Sequence, residues 1–243
     1  MKDRVYICHT FYHAYITVLK ELGMPHEKRG QATLILSTMS NDFGNMTERA
    51  RKSGLFEDVL LFDEKEDVTS KKVMKYHADK GNIILNFIQR MRYTKLLGKL
   101  QEQYVPVDLK EYSDVYVFCD SDPIGHYLNY KKIRYHAIED GLDTLKYCDD
   151  ARYNNRGHFG LKTKMASMNL IFIENGYSKY CIDMEVNDIS INVLCSNHSN
   201  NSTPEHFRSS LTKEEKENLN TYYVALSRAK TSLSNVNYTH LRY

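Results

Sequence analysis

Short apolar runs punctuate the first 140 residues, and the segments between them carry helical periodicity. The runs are Val5-Tyr6-Ile7-Cys8, Ala32 to Leu36, Val59 to Phe62, Val115 to Cys119 and Ile133 to Ile138. Runs this short, without polar alternation, suit strands buried on both faces, as in a parallel sheet. After the first run, Tyr12, Tyr15, Ile16 and Leu19 recur at helical spacing up to Leu22, and Gly23 and Pro25 stop the pattern. Asn41-Asp42 can cap a second helix from Phe43 to Lys52. From Ser70 to Tyr104 the spacing predicts one long helix or two, with Ile84, Phe87, Ile88, Met91, Leu96, Leu97 and Leu100 in helical period. Pro123 suits the first turn of another helix. The alternation predicts an α/β fold built on a Rossmann-like, doubly wound parallel sheet.

A chain of 243 residues holds one large domain, or one domain and a substantial part of another. The regular rhythm defines a first unit over 1–150. Residues 151–226 read as a partial continuation or interdomain segment, with short strands at Tyr180 to Asp183 and Ile191 to Leu194 and a capping-box helix start at Thr212-Lys213-Glu214-Glu215. The last stretch, 227–243, has no period and reads as an irregular tail. Hydrophobic residues at 42% and charged residues at 26% exclude a disordered or collagen-like chain. A formal net charge of +2 gives no bulk electrostatic footprint for nucleic acid. No window reaches the ~18 uninterrupted apolar residues of a membrane-spanning helix. Cys8, Cys119, Cys148, Cys181 and Cys195 are scattered, without a C-x-x-C, as expected of reduced thiols in a cytoplasmic protein. The bases Arg90, Arg92, Lys95 and Lys99 read as a solvated helix face, with a peripheral contact at a membrane's inner face as the alternative.

In doubly wound sheets, ligands collect beyond the carboxyl ends of the strands. Three polar clusters fall there: His9-Thr10, Asp120-Ser121-Asp122 and Glu139-Asp140. The last is the sharpest, in the stretch Tyr135 to Leu142, where an apolar strand delivers two adjacent carboxylates into a turn at Gly141. Successive strand residues point to opposite sides, so one carboxylate can face a cleft while the other holds the turn. A cleft-facing carboxylate can serve as general base toward a hydroxyl, although Asp-Gly is also ordinary turn chemistry. Asp120, Ser121 and Asp122 can hold a divalent metal or sugar hydroxyls, or cap the helix that Pro123 opens. His9 and Thr10 sit at a helix start, where backbone N–H groups favour polar or anionic ligands. His9 and His13 are four apart but lack the glutamate of H-E-x-x-H, so the motif gives little support to zinc. No dinucleotide fingerprint, P-loop or G-x-S-x-G elbow occurs.

Taken in order, Val5 to His13, Asp120 to Leu128 and Glu139-Asp140-Gly141 resemble segments of the bacterial lipooligosaccharide sialyltransferases of glycosyltransferase family 52 and their polysialyltransferase-like relatives. The resemblance covers about residues 4–220 and is clearest in the first 150. It implies a GT-B enzyme with two facing Rossmann-like domains, of which 1–150 is the acceptor-side one. It implies inverting transfer of a sugar, usually sialic acid from CMP-sialic acid, to an oligosaccharide or lipid-linked glycan at the cell surface. The nucleotide sugar is then a substrate, and no cofactor or metal is required. Asp140 would be the base, with Glu139 and Gly141 shaping its loop. His9, Thr10, Tyr12, Asp120, Ser121 and Asp122 would line the substrate side. The family's C-terminal domain contacts nucleotide through a His-Pro pair, whereas none of the ten histidines here precedes proline. With only 93 residues after position 150 (243 − 150), the second domain is expected to be incomplete and the chain inactive, or nearly so, alone. A non-catalytic glycan- or partner-binding remnant is the alternative expectation.

Overall fold

The computed structural model describes residues 1–64, 71–76, 78–118, 120–121, 123–140, 159–174, 176–186 and 207–209. Among the described residues, seven strands form one sheet: β1 (Lys2–Cys8), β2 (Ala32–Ser37), β3 (Asp58–Phe62), β4 (Tyr112–Val117), β5 (Tyr135–Ile138), β6 (Cys181–Val186) and β7 (Phe207–Ser209). Their order is β3-β2-β1-β4-β5-β6-β7, and every neighbouring pair is parallel. The sheet thus runs on past residue 150 through β6 and β7. The helices are α1 (Phe11–Gly23), α2 (Met46–Lys52), α3 (Lys71–Met74), α4 (Ile83–Gln101), α5 (Pro123–Lys131) and α6 (Phe159–Ser167).

Alternation along the strands builds two cores. Val5, Ile7, Ile35, Val115, Val117, Tyr135 and Ala137 face one side and pack with Ile124, Tyr127 and Leu128 of α5. Tyr6, Cys8, Leu34, Leu36, Tyr116, Phe118 and Ile138 face the other and pack with Ala14 and Ile16 of α1. Both faces of the sheet are therefore covered, which is why the central strands are apolar without interruption. The order reverses between β1 and β4, the two strands leading to α1 and α5 on opposite faces. A crevice opens at such a reversal, beyond the carboxyl ends of the strands.

Two contacts set the helices around that crevice. On the α1 side, the guanidinium of Arg4 donates from Nε and Nη2 to the two carboxylate oxygens of Glu21, at 2.7 and 2.6 Å. Both residues are buried, and the fork ties the start of β1 to the end of α1. On the other side α4 crosses α5 at Gly98, where a Cβ would lie 2.5 Å from the carbonyl oxygen of His126. The long apolar-basic stretch resolves into α3 and α4, separated around Gly81, whose φ of +67° a helix does not allow. The second helix starts at Met46 rather than Phe43, because Phe43 is instead buried in the core against α1. The expected strand at 191–194, the helix start at 212 and the tail lie outside the described residues.

Two stability predictions follow from the α4–α5 contact. Gly98→Ala is expected to cost about 2 kcal/mol by forcing the helices apart, read as a lower urea midpoint with an unchanged slope. His126 packs beside Tyr93 and Phe172 with its Nδ1 enclosed, and burial, reinforced by the charge of Arg90, pushes its pKa down to about 3. The unfolded chain binds this proton below about pH 6.5 while the folded chain refuses it, so the contribution is intact above pH 6.5 and lost as pH falls toward 3. At pH 4.5 the loss is roughly 2–3 kcal/mol. His126→Phe is expected to flatten the acid decline by about that amount in urea unfolding at pH 7 and pH 4.5; an unchanged decline would contradict it.

Candidate functional site

Beyond the carboxyl ends of β1, β3 and β5, strand parity sorts the polar residues onto the two faces. His9 continues the register of Val5 and Ile7 and turns toward α5. Its Nε2 lies 2.8 Å from Glu64 Oε2, and both side chains are buried. Glu64 continues the register of Phe62 at the end of β3. The same oxygen accepts from Ser37 Oγ at 2.9 Å, while Oε1 accepts from the backbone N–H of Ile124 at 2.9 Å. Since a carboxylate only accepts, Nε2 of His9 carries the proton in this bond. Ile124 lies in the first turn of α5, so Glu64 also meets the positive end of that helix. The helix begins close against β4: a Cβ on Gly125 would lie 1.8 Å from the carbonyl oxygen of Asp120. Glycine at 125 is what lets α5 reach Glu64.

Asp140 continues the register of Ile138 and turns the other way, toward α1. There its Oδ1 meets Nε2 of His13. The tautomer of His13 is set by its other nitrogen: Nδ1 accepts the backbone N–H of His9 at 3.0 Å. A neutral imidazole that accepts at Nδ1 carries its proton at Nε2, so His13 donates to Asp140. Burial lowers the pKa of His13, with Asp140 acting in the opposite direction. The ring also stacks on Phe118, centroids 4.5 Å apart and planes 9° from parallel. Thr10 caps α1, its hydroxyl accepting from the His13 N–H at 3.2 Å. Position, tautomer and ring plane of His13 are thus each held by a different neighbour.

The two networks differ in what they show to solvent. His9, Glu64 and His13 are buried, whereas the Asp140 side chain keeps 30% of its surface exposed. Asp140 is therefore the member of this network that can meet a ligand, and His13 is the group that aims it.

The other candidate residues are placed as follows. Glu139 is buried, and its N–H donates to the carbonyl of Glu185 in β6 at 2.9 Å, anchoring the strand end. Tyr12 is half-buried beside the His13 ring. Asp120 is buried; its Oδ2 accepts from the Tyr135 hydroxyl at 2.9 Å and the Gly176 N–H at 3.2 Å, so a ligand there would have to displace two internal bonds. Ser121 is exposed. Asp122 and Gly141 lie outside the described residues. The His9 and His13 rings meet edge to face at 6.1 Å, and among the described residues no three His, Cys, Asp or Glu side chains are grouped to hold a metal. Sequence reasoning passed over Glu64, and it considered His13 only as a partner of His9. Asp63-Glu64 closing the run Val59 to Phe62 was a signal of the same kind as Glu139-Asp140.

No protein-family model and no curated protein matches the chain.

The His13–Asp140 bond predicts a spectroscopic signature. In protein with 15N-labelled histidine, His13 is expected at pH 7 as the neutral tautomer protonated at Nε2, titrating below 6.5. Asp140→Asn removes the charge that holds this pKa up, so it is expected to fall further. A charged His13 at pH 7, or no response to Asp140→Asn, would contradict the arrangement.

Proposed function

We propose that the chain is a sialyltransferase-like glycosyltransferase of GT-B type, and that Asp140 is its general base. The observation that carries this reading is the partly exposed Asp140 carboxylate at the sheet's crevice, oriented by a buried neutral histidine. The resemblance of Val5–His13, Asp120–Leu128 and Glu139–Gly141 to the family 52 transferases supports the reaction class. His13 itself is too buried to meet a substrate, which leaves proton transfer to Asp140.

The step uses one base. Asp140 removes the proton of an acceptor sugar hydroxyl as that oxygen attacks the anomeric carbon of the donor. The bond from the anomeric carbon to the phosphate oxygen breaks, and its electron pair leaves with the nucleotide. Direct displacement inverts the anomeric centre. Asp140 then releases its proton to water, and His13 holds the carboxylate in place throughout. A base so positioned contributes about 10²–10⁴-fold to such a transfer.

CMP-sialic acid is the donor that the resemblance implies, and a surface oligosaccharide or lipid-linked glycan the acceptor. Purified chain is expected to show at most slow transfer of labelled sialic acid from CMP-sialic acid to a galactose-terminated oligosaccharide. Asp140→Asn is expected to cut turnover about 10²–10⁴-fold while acceptor binding, measured by calorimetry, persists. Turnover unaffected by Asp140→Asn would remove the base assignment. A second reading, a glycan-binding module without transfer, is favoured by the lack of any His-Pro pair. Oligosaccharide binding without turnover of any nucleotide sugar would replace the transferase reading with that one.

A further inference from the structure

We infer that the outer face of α4 docks on an anionic phospholipid surface. This helix uses Thr94, Leu97, Gly98 and Gln101 as its buried side, and Phe87 and Met91 pack against the small core of Ala166, Ile171 and Ile173. What it leaves outside is ordered by chemistry. Ile83, Ile84 and Leu85 in the first turn are 57%, 66% and 50% exposed, and Ile88 one turn on is exposed as well. Arg92, Lys95 and Lys99 then continue the stripe of Ile84 and Ile88 at spacings of three and four, all exposed. From Ile83 to Gln101 the helix contains no acidic residue, and Lys80, just before it, is exposed. The nearby Asp79 is exposed, and its carboxylate accepts from the Gly81 N–H and from Asn86 Nδ2.

Geometry favours a bilayer over a protein groove as the occupant. Three consecutive residues project about 100° apart, so Ile83, Ile84 and Leu85 spread apolar surface around roughly 200° of the first turn. A protein groove takes a narrow i, i+3, i+4 stripe, whereas a fluid interface receives a turn that is apolar on most sides. The segment from Ile83 to Ile88 spans about 8 Å along the helix, which matches the ~5–10 Å to which interfacial helices sink. With that end dipped obliquely, Arg92, Lys95 and Lys99 lie at headgroup level, where single-signed charge suits anionic lipid.

The chain contains no tryptophan, so Ile84→Trp introduces a unique reporter in the full-length protein. Its emission is expected to shift to the blue with vesicles of phosphatidylcholine mixed with phosphatidylglycerol and to stay unshifted with phosphatidylcholine alone. Adding Arg92→Gln, Lys95→Gln and Lys99→Gln is expected to weaken vesicle binding about 100-fold, at roughly fivefold per base. Ile88→Asn is expected to reduce the shift without moving the urea midpoint, because the side chain is exposed. No shift with either vesicle, an equal shift with both, or unchanged binding by the triple variant would overturn the inference. So would a shift that grows with protein concentration in the absence of lipid, which would assign the face to a second copy of the chain.

Discussion

One backbone N–H, that of His9, governs the chemistry of the crevice. By donating to Nδ1 of His13 it leaves the imidazole's proton on Nε2, from which it is donated to Asp140. Were the tautomer reversed, Nε2 would confront the carboxylate with a lone pair, and Asp140 would turn away. The donor belongs to the residue that follows β1, so the geometry of the central strand is passed directly to Asp140. Burial adds to this by keeping the ring neutral, since a charged imidazole packed on Phe118 would lose its hydration.

The same junction organises the opposite face. His9 supplies its N–H to the α1 side and its side chain to the α5 side, where Glu64 joins β1, β2, β3 and the first turn of α5 through His9, Ser37 and Ile124. A buried carboxylate is costly unless its acceptor sites are used, and here three donors converge on it. The sheet's strand order makes this economy available: at the reversal between β1 and β4, helices on both faces start within reach of one strand end. The described structure is an α/β fold with a parallel sheet between helices, compatible with a Rossmann-like domain. The transferase reading rests on what protrudes from that crevice.

Much of this was legible in the sequence because it depends on local pattern. The uninterrupted runs at Val5–Cys8 and Val115–Val117 suited buried strands, and their polar ends mark the crevice wherever the sheet is parallel. Strand parity alone indicated that Glu139 and Asp140 turn opposite ways; which of them is the base was what the resemblance implied. Glu64 was not legible, because its significance depends on three donors separated from it by 27, 55 and 60 positions. The role of His13 was hidden for a related reason. Spacing placed it near His9 but could not say that the contact runs through a backbone N–H, nor that Asp140, 127 positions away, would meet the other nitrogen. Asp120 and Ser121 show the reverse: they are adjacent in sequence and one reads as readily as the other, yet burial engages Asp120 inside the protein and leaves Ser121 at the surface. The break between α3 and α4 turned on the backbone angle at Gly81, which helical periodicity does not encode.

The central claim is that Asp140 is the group of this crevice that meets a sugar hydroxyl. Carbon-detected NMR of the Asp140 carboxyl and the His13 side-chain nitrogens, during titration with acceptor oligosaccharide, tests it most directly. The account predicts saturable shifts at both residues, with the buried His9–Glu64 pair moving less. Saturable binding that leaves Asp140 and His13 unmoved while shifting resonances elsewhere would contradict it.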